Sequence, residues 1–136
     1  MVIDNVIINK SIAIERCLSR IREERGGIQL WLIPELAKQD SVILNLQRAC
    51  ELSVDLATHV VKKKKLGIIQ SSRDGFDLLS SAGLLDAALA DAFKRMVGFR
   101  SIAIHEYQKL DLRIVDSIVE NQLKDFTALI EAVKAA

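Results

Sequence analysis

The chain has 136 residues, of which 50% are hydrophobic and 27% are charged. This length and hydrophobic fraction exclude a disordered chain, and we expect one domain, residues 1–136, around a single core. The net charge of +1 excludes a protein that binds nucleic acid through overall charge alone, but it does not exclude local basic patches.

The start of the chain and its cysteines indicate where the protein acts. The segment MVIDNVIINK contains Asp4 and lacks a basic segment before a long apolar run, unlike a signal peptide. No apolar run approaches the ~20 residues of a membrane span. Cys17 and Cys50 match no metal-binding spacing, so we predict buried thiols in a reducing compartment. We therefore expect a cytoplasmic protein without a membrane partner.

The first helix is predicted from about Asp4 to Arg25, where two glycines offer a C-terminal cap. Residues 28–39 follow, and Pro34 is expected to open a short helical turn there. Trp31 is expected to pack against the bundle as an anchor.

The second long helix is predicted from about Asp40 to Leu66. Small residues dominate its apolar stripe, so a neighbouring helix can approach closely. Four lysines, Lys62–Lys65, end this helix, where cations complement the helix dipole or contribute to binding RNA or a partner. His59 lies off the stripe, which indicates a histidine at the surface, in an interface or in contact with RNA. The stripe consists of Leu46, Ala49, Cys50, Ser53, Ala57 and Val60.

The second half of the chain predicts shorter elements. Residues 71–81 indicate a short helix or turn, and a helix starting near Leu84 is expected to be interrupted at Gly98. Asp111 is a favourable N-cap for the last helix. The core face of the helix after Leu84 is predicted to consist of Leu85, Ala88, Leu89, Ala92, Phe93 and Met96. Because no stretch alternates as a strand does, the chain predicts an all-α bundle of four main helices with short extra helices.

The segment GFRSIAIHEYQKL, residues 98–110, contains several polar side chains among a series of apolar ones. It holds Arg100, one of the two histidines (His105) and the only tyrosine (Tyr107). An arginine fork matches phosphate oxygens, and a histidine transfers protons near neutral pH. This combination suits RNA cleavage without a metal, in which the ribose 2′-OH attacks the adjacent phosphorus and arginine stabilises the phosphorane.

Other chemistries find less support in the residues. Two histidines and two scattered cysteines do not readily form a zinc site, and no phosphate-cradling glycine motif is present. A cysteine–histidine nucleophile pair remains open, although both cysteines fall on predicted core stripes, where thiols are usually inert. We therefore expect neither a bound metal nor a cofactor.

The spacing of the polar residues limits how one helix can build a site. At about 100° per residue, Arg100 and Tyr107 share a face, whereas His105 lies about 140° around the helix from Arg100. Either Gly98 allows an irregular start to the segment, or two copies of the chain combine their motifs across a two-fold axis. The alternative without catalysis is a helix with a surface arginine and a histidine at an interface.

The segment VGFRSIAIHEY resembles the HEPN superfamily and, more narrowly, the HepT-like toxins that pair with an MNT-type minimal nucleotidyltransferase antitoxin. The signature of this family is Arg, four to six residues, His, any residue, Tyr, and it falls on Arg100, His105 and Tyr107. The segment Asn45–Ala57, NLQRACELSVDLA, is also similar to the second helix of the family. The resemblance covers essentially the whole chain.

The resemblance implies a homodimeric, metal-independent endoribonuclease that is the toxin of a type VII toxin–antitoxin system. Arg100 and His105 would be catalytic, and Tyr107 would accept AMP from the antitoxin. Ser101 stands where the superfamily often has Asn or Asp, which leaves its orienting role open. Lys94 and Arg95 either extend the cleft that contacts RNA or are simply solvated. The alternative function is a non-catalytic helical subunit that binds or regulates a nucleotidyltransferase.

Overall fold

The computed structural model describes residues 3–136, and the regular secondary structure of this part of the chain consists only of helices. The expected all-α fold is therefore confirmed. Two short 3-10 turns, Leu30–Leu32 and Tyr107–Lys109, lie between the α-helices. The α-helices are α1 (Asn5–Arg25), α2 (Leu36–Lys64), α3 (Asp74–Ser81), α4 (Ala87–His105), α5 (Leu112–Asn121) and α6 (Leu123–Ala135).

The core lies where α1, α2, α4 and α6 face one another, and α3 covers one side of it. Three phenylalanines from different helices meet there. The ring of Phe76 stacks on that of Phe93 with centroids 5.0 Å apart, and Phe126 meets Phe93 edge-on at 5.4 Å. The predicted stripe of α2 is buried along its whole length, including Cys50. The other thiol, Cys17, is buried as well, so the expectation of two buried thiols is confirmed.

Asp4 anchors the start of α1. Its carboxylate accepts hydrogen bonds from the backbone amides of Val6 and Ile7, which caps the helix. The same carboxylate lies 2.7 Å from the ammonium of Lys63 and 2.8 Å from Nε2 of His59. Hydrogen bonds from Lys63 and then from His59 hold the pKa of Asp4 far below its usual value. His59 is half-buried and thus lies off the core stripe as predicted, and it ties α2 to the start of α1.

The connection from α1 to α2 differs from the prediction. Trp31 is not an anchor, because 46% of its surface is exposed, whereas Leu30 is fully buried. The carboxylate of Asp116 accepts a hydrogen bond of 2.8 Å from the backbone amide of Leu30. This bond directs Leu30 toward the core and leaves the next residue, Trp31, facing solvent. The second helix starts at Leu36 rather than near Asp40, directly after the extended residue Glu35.

The helix that carries the motif is longer and more regular than predicted. It starts at Ala87, where the Asp86 side chain accepts the Leu89 amide at 2.9 Å, and it runs without interruption through Gly98. The expected break at Gly98 is therefore wrong. A Cβ atom at this position would lie 3.3 Å from a guanidinium nitrogen of Arg73, which packs over the glycine. Ala88 is exposed rather than part of the core face.

The predicted last helix is two helices, α5 and α6, separated at Gln122. Asp111 caps α5 as predicted, because its side chain accepts the amide of Arg113 at 2.9 Å. Near the break, the side-chain amide of Asn121 donates a hydrogen bond of 3.1 Å to the carbonyl oxygen of Ser117. This side chain therefore competes with backbone amides for a carbonyl of the helix. Among the helices of residues 3–136, none is both long and apolar enough to cross a membrane.

Candidate active site

Arg100 and His105 lie on the last turns of α4, and His105 is the final helical residue. The helix is regular between them, so a spacing of five residues places His105 about 140° around the axis and about 7.5 Å along it. The two side chains of one chain therefore point in different directions. The structure removes the first of the two sequence-based alternatives, an irregular segment after Gly98.

The guanidinium of Arg100 is half-buried against α2. Its Nε atom lies 3.6 Å from a carboxylate oxygen of Glu51, an ion pair that is too long for a hydrogen bond. Within residues 3–136, this buried Nε–H has no hydrogen-bond partner. Arg100 therefore faces a single carboxylate and has a buried N–H that makes no hydrogen bond within the described residues. His105 is exposed at the end of the helix.

Tyr107 lies beyond the end of α4, in the 3-10 turn Tyr107–Lys109. The chain leaves the helix at Glu106, so Tyr107 does not share a helix face with Arg100 as an unbroken helix would require. Its hydroxyl donates a hydrogen bond of 2.6 Å to the carboxylate of Asp40, near the start of α2. Burial and then this hydrogen bond raise the pKa of Tyr107 to about 12. The phenol is therefore neutral and oriented at physiological pH.

The three further residues predicted to contact RNA, Ser101, Lys94 and Arg95, have different surroundings. Ser101 is exposed on α4. The ammonium of Lys94 lies 2.9 Å from the carboxylate of Asp77, and this hydrogen bond raises the pKa of Lys94. Arg95 is exposed and lines a cavity of about 510 Å³ between α4 and α5, whose walls are largely apolar and include Ile102 and Ile114.

Sequence reasoning missed Glu51 and Asp40, the two carboxylates that contact the motif. Both lie on α2, 49 and 67 residues before their partners Arg100 and Tyr107. On a helical pattern each is an acid on a solvated face, so only the packing of α2 against α4 and the following turn reveals it. Among residues 3–136, no cluster of three or more His, Cys, Asp or Glu side chains has a geometry that could hold a metal ion.

Comparison with known proteins decides the family. Residues 13–133 match the family described as Ribonuclease HepT-like. The chain belongs to the HepT-like ribonuclease family. An mRNA nuclease HepT from Shewanella oneidensis is 47% identical over 133 residues, which cover 97% of this chain and 98% of the relative. The resemblance noted in the sequence is thus confirmed over nearly the whole chain.

Solved structures of toxin–antitoxin complexes share the fold. A tri-AMPylated HEPN toxin of Shewanella oneidensis in complex with MNT antitoxin has a TM-score of 0.91 and 46% identity, covering 98% of this chain and 100% of that chain. A toxin–antitoxin complex with AMP-PNP also has a TM-score of 0.91, with 44% identity over the same shares. These two structures are complexes of a toxin with its antitoxin, and one of the toxins carries AMP.

Proposed function

We propose that this chain is the toxin of a toxin–antitoxin pair, a metal-independent endoribonuclease in which Arg100 and His105 are catalytic. One observation carries the proposal: within a HepT-like ribonuclease, a partly exposed guanidinium and an exposed imidazole lie five residues apart on one regular helix. The substrate is RNA, and the proposed place of action is the cytoplasm.

The proposed reaction needs a proton transfer and a stabilised anion. The ribose 2′-OH attacks the adjacent phosphorus, and the bond from phosphorus to the 5′-oxygen breaks. His105 removes the proton of the attacking hydroxyl or donates one to the leaving oxygen. The guanidinium of Arg100 binds the phosphorane oxygens, on which negative charge develops. The products are a 2′,3′-cyclic phosphate and a free 5′-hydroxyl.

The site we propose is built from two copies of the chain. Because α4 is regular, Arg100 and His105 of one copy diverge by about 140°, and one copy does not aim both at the same phosphate. Two motifs facing each other across a two-fold axis supply two histidines, one as acid and one as base. Apolar side chains beside the motif are partly exposed, as expected for a surface that a second copy covers: Ile102, Ile104 and Ile114.

We further propose that an MNT-type antitoxin neutralises the toxin by transferring AMP to Tyr107. The tyrosine side chain is 48% exposed in a turn two residues after His105, so a partner can reach it. An adenylyl group there adds bulk and negative charge beside the proposed cleft, which excludes the RNA backbone. The similar Shewanella toxin is AMPylated and bound to its antitoxin, which supports this mode of control.

We also propose that Ser101, Lys94 and Arg95 contact the RNA or orient the site. Ser101 and Arg95 are exposed on the motif helix and are free to contact a backbone phosphate. Lys94 must first leave Asp77. The lysine run, Lys62–Lys65, is exposed at the end of α2, about 35 Å along the helix axis from Asp40 and about 20 Å from Glu51, the partner of Arg100, so any RNA contact there lies outside the motif itself.

The test is cleavage of cellular RNA in EDTA by the purified protein without antitoxin, after a mass measurement shows that Tyr107 is unmodified. We expect the wild type to leave 2′,3′-cyclic phosphate ends and Arg100→Ala and His105→Ala to lose activity. Arg16→Ala, an exposed arginine on α1, is the matched control. Intact RNA with the unmodified wild type contradicts the proposal and favours a non-catalytic subunit of the nucleotidyltransferase. Full activity in a protein that sediments as a monomer contradicts the two-copy site.

A further inference from the structure

The hydroxyl of Tyr107, the proposed acceptor of AMP, is hydrogen-bonded to the carboxylate of Asp40. Asp40 lies on the first turns of α2, and its carboxylate oxygen is 2.6 Å from the tyrosine hydroxyl oxygen. The two residues are 67 positions apart, so the contact is made by the fold and not by a local turn. The hydroxyl proton is therefore already directed at a carboxylate before any nucleotide arrives.

The surroundings of this hydrogen bond limit how a reactant reaches the hydroxyl. Tyr107 and Asp40 line a cavity of about 320 Å³ together with Ile43, Leu44 and Gln47 of α2. Ile43 and Leu44 give this cavity an apolar side next to the carboxylate, while the tyrosine remains about half exposed to a reactant. A phosphorus atom that comes within bonding distance of the tyrosine oxygen must therefore lie next to the Asp40 carboxylate.

We propose that Asp40 is a catalytic residue for AMP transfer, which accepts the hydroxyl proton of Tyr107 as its oxygen attacks the α-phosphorus of ATP held by the antitoxin. This inference rests on the proposed role of Tyr107 as the AMP acceptor. The tyrosine oxygen forms a bond to the α-phosphorus, and the bond from that phosphorus to the oxygen leading to the β-phosphate breaks. Pyrophosphate leaves, and the proton passes from the tyrosine to Asp40 and then to water. The toxin thus supplies the base for its own modification.

The chemistry of the phenol requires such a base. Because its pKa is about 12, only about one molecule in 10⁵ is ionised at neutral pH. The neighbouring carboxylate disfavours a preformed phenolate, but it can take the proton while the bond to phosphorus forms. Asp40 therefore assists attack by the neutral hydroxyl.

The charge of Asp40 would repel a triphosphate if nothing offset it. A second cavity, of about 470 Å³, also has Asp40 and Leu44 in its wall and adds the arginines Arg20 of α1 and Arg48 of α2. Both arginines are exposed, and neither is ion-paired with a carboxylate of residues 3–136. Phosphate groups that approach Tyr107 past Asp40 thus meet two cations with free hydrogen-bond donors. On the turn itself, Glu106 is paired with Lys109 at 3.4 Å.

The experiment measures the initial rate of AMP transfer by a cognate MNT-type nucleotidyltransferase with ATP and Mg²⁺, using intact mass and peptide mapping. Asp40→Asn keeps the size of the side chain but removes the base, and we expect it to lower the rate by about 100-fold. We expect the KM for ATP to stay the same. Asp55→Asn, an exposed aspartate on the same helix, is the matched control and should react like the wild type. Asp40→Glu should recover part of the loss.

Two further readouts separate catalysis from structure. The rate of Asp40→Asn should rise about tenfold per pH unit as hydroxide replaces the missing base, whereas the wild-type rate stays nearly flat. Tyr107 is the only tyrosine, so the ultraviolet absorbance of tyrosinate reports its ionisation directly. In Asp40→Asn we expect its pKa to fall from about 12 toward the ordinary value of about 10, which shows that the contact exists in solution.

Each outcome decides between the inference and the function on which it rests. Slow transfer to Asp40→Asn, with recovery in Asp40→Glu and at high pH, supports the base. Equal rates for wild type and Asp40→Asn overturn the inference and leave Tyr107 as the acceptor. If the wild type gains no AMP, or gains it on another residue, the proposed acceptor role fails and the inference fails with it.

Discussion

The Nε atom of Arg100 on α4 lies 3.6 Å from the carboxylate of Glu51 on α2, and this ion pair connects the motif helix to the longest helix of the bundle. The arginine side chain is 28% exposed and that of the glutamate 41%. The pair therefore lies at the edge of the core, where it can orient a guanidinium while its other N–H groups remain open to a ligand.

Removing this carboxylate should weaken RNA cleavage without unfolding the protein. A partly exposed ion pair contributes up to about 1 kcal/mol, so Glu51→Gln should lower the cleavage rate by up to about fivefold and change the unfolding free energy by less than about 1 kcal/mol. Single-turnover cleavage of a defined RNA measures the effect, with Asp55→Asn, one turn further along α2, as the control. Faster cleavage by Glu51→Gln would instead mean that Glu51 competes with the RNA phosphate for Arg100.

Asp116 should be among the most sensitive positions for stability. Its carboxylate accepts Nε of Arg25 at 2.9 Å and the backbone amide of Leu30 at 2.8 Å, and its side chain is 9% exposed. Asp116→Ala leaves the buried Leu30 amide without a partner and leaves Arg25 with only the exposed carboxylate of Glu120, which should cost about 2–3 kcal/mol in urea unfolding. Glu120→Gln removes a second, 60% exposed partner of Arg25 and should cost less than about 1 kcal/mol. Similar losses in both variants would contradict this account.

The carboxylate of Asp116 should make the unfolding free energy of the protein depend on pH. Burial alone raises the pKa of Asp116, but hydrogen bonds from Arg25 and the Leu30 amide outweigh burial, so the folded-state pKa is below the usual value. A lowered folded-state pKa means that the stabilisation is fully present above about pH 5 and is lost as pH falls through that pKa. Urea unfolding between about pH 6 and pH 2 should show the unfolding free energy falling with acid. Asp116→Asn should show a shallower dependence, and an unchanged slope would argue against this role.

Gly98→Ala should stabilise the protein. Gly98 lies within the regular helix α4, and a Cβ atom there meets only the end of the Arg73 side chain, at 3.3 Å, which can move. Alanine should therefore raise the unfolding free energy by about 0.5–1 kcal/mol. Gly83 is the contrasting control, because its φ of +76° is strained for alanine and Gly83→Ala should destabilise. Destabilisation by Gly98→Ala would show that the glycine is needed where the motif helix passes Arg73.

The hydrophobic period of the sequence by itself determined the all-α class and the burial of the α2 stripe. The helical spacing of apolar side chains identifies which face of a helix is buried, and it does so without knowledge of the element that packs there. The short motif likewise determined Arg100, His105 and Tyr107 as the candidate site and indicated the family, because it needs only residue types and spacing. Asp111 was identifiable as a cap for the same local reason.

The exact ends of the helices and the partners of the motif were decided by the tertiary structure. The inward side chain of the turn before α2 is Leu30 rather than Trp31 because Asp116, far away in sequence, binds the Leu30 amide. Gly98 continues a helix because the packing around α4 outweighs the low helix propensity of one glycine, which costs only about 1 kcal/mol. Asp40 and Glu51 have no local signal, since an acid on a solvated helix face contacts the site only after α2 packs beside α4. Contacts between residues 49 or more positions apart depend on the whole fold, and a local pattern contains no information about them.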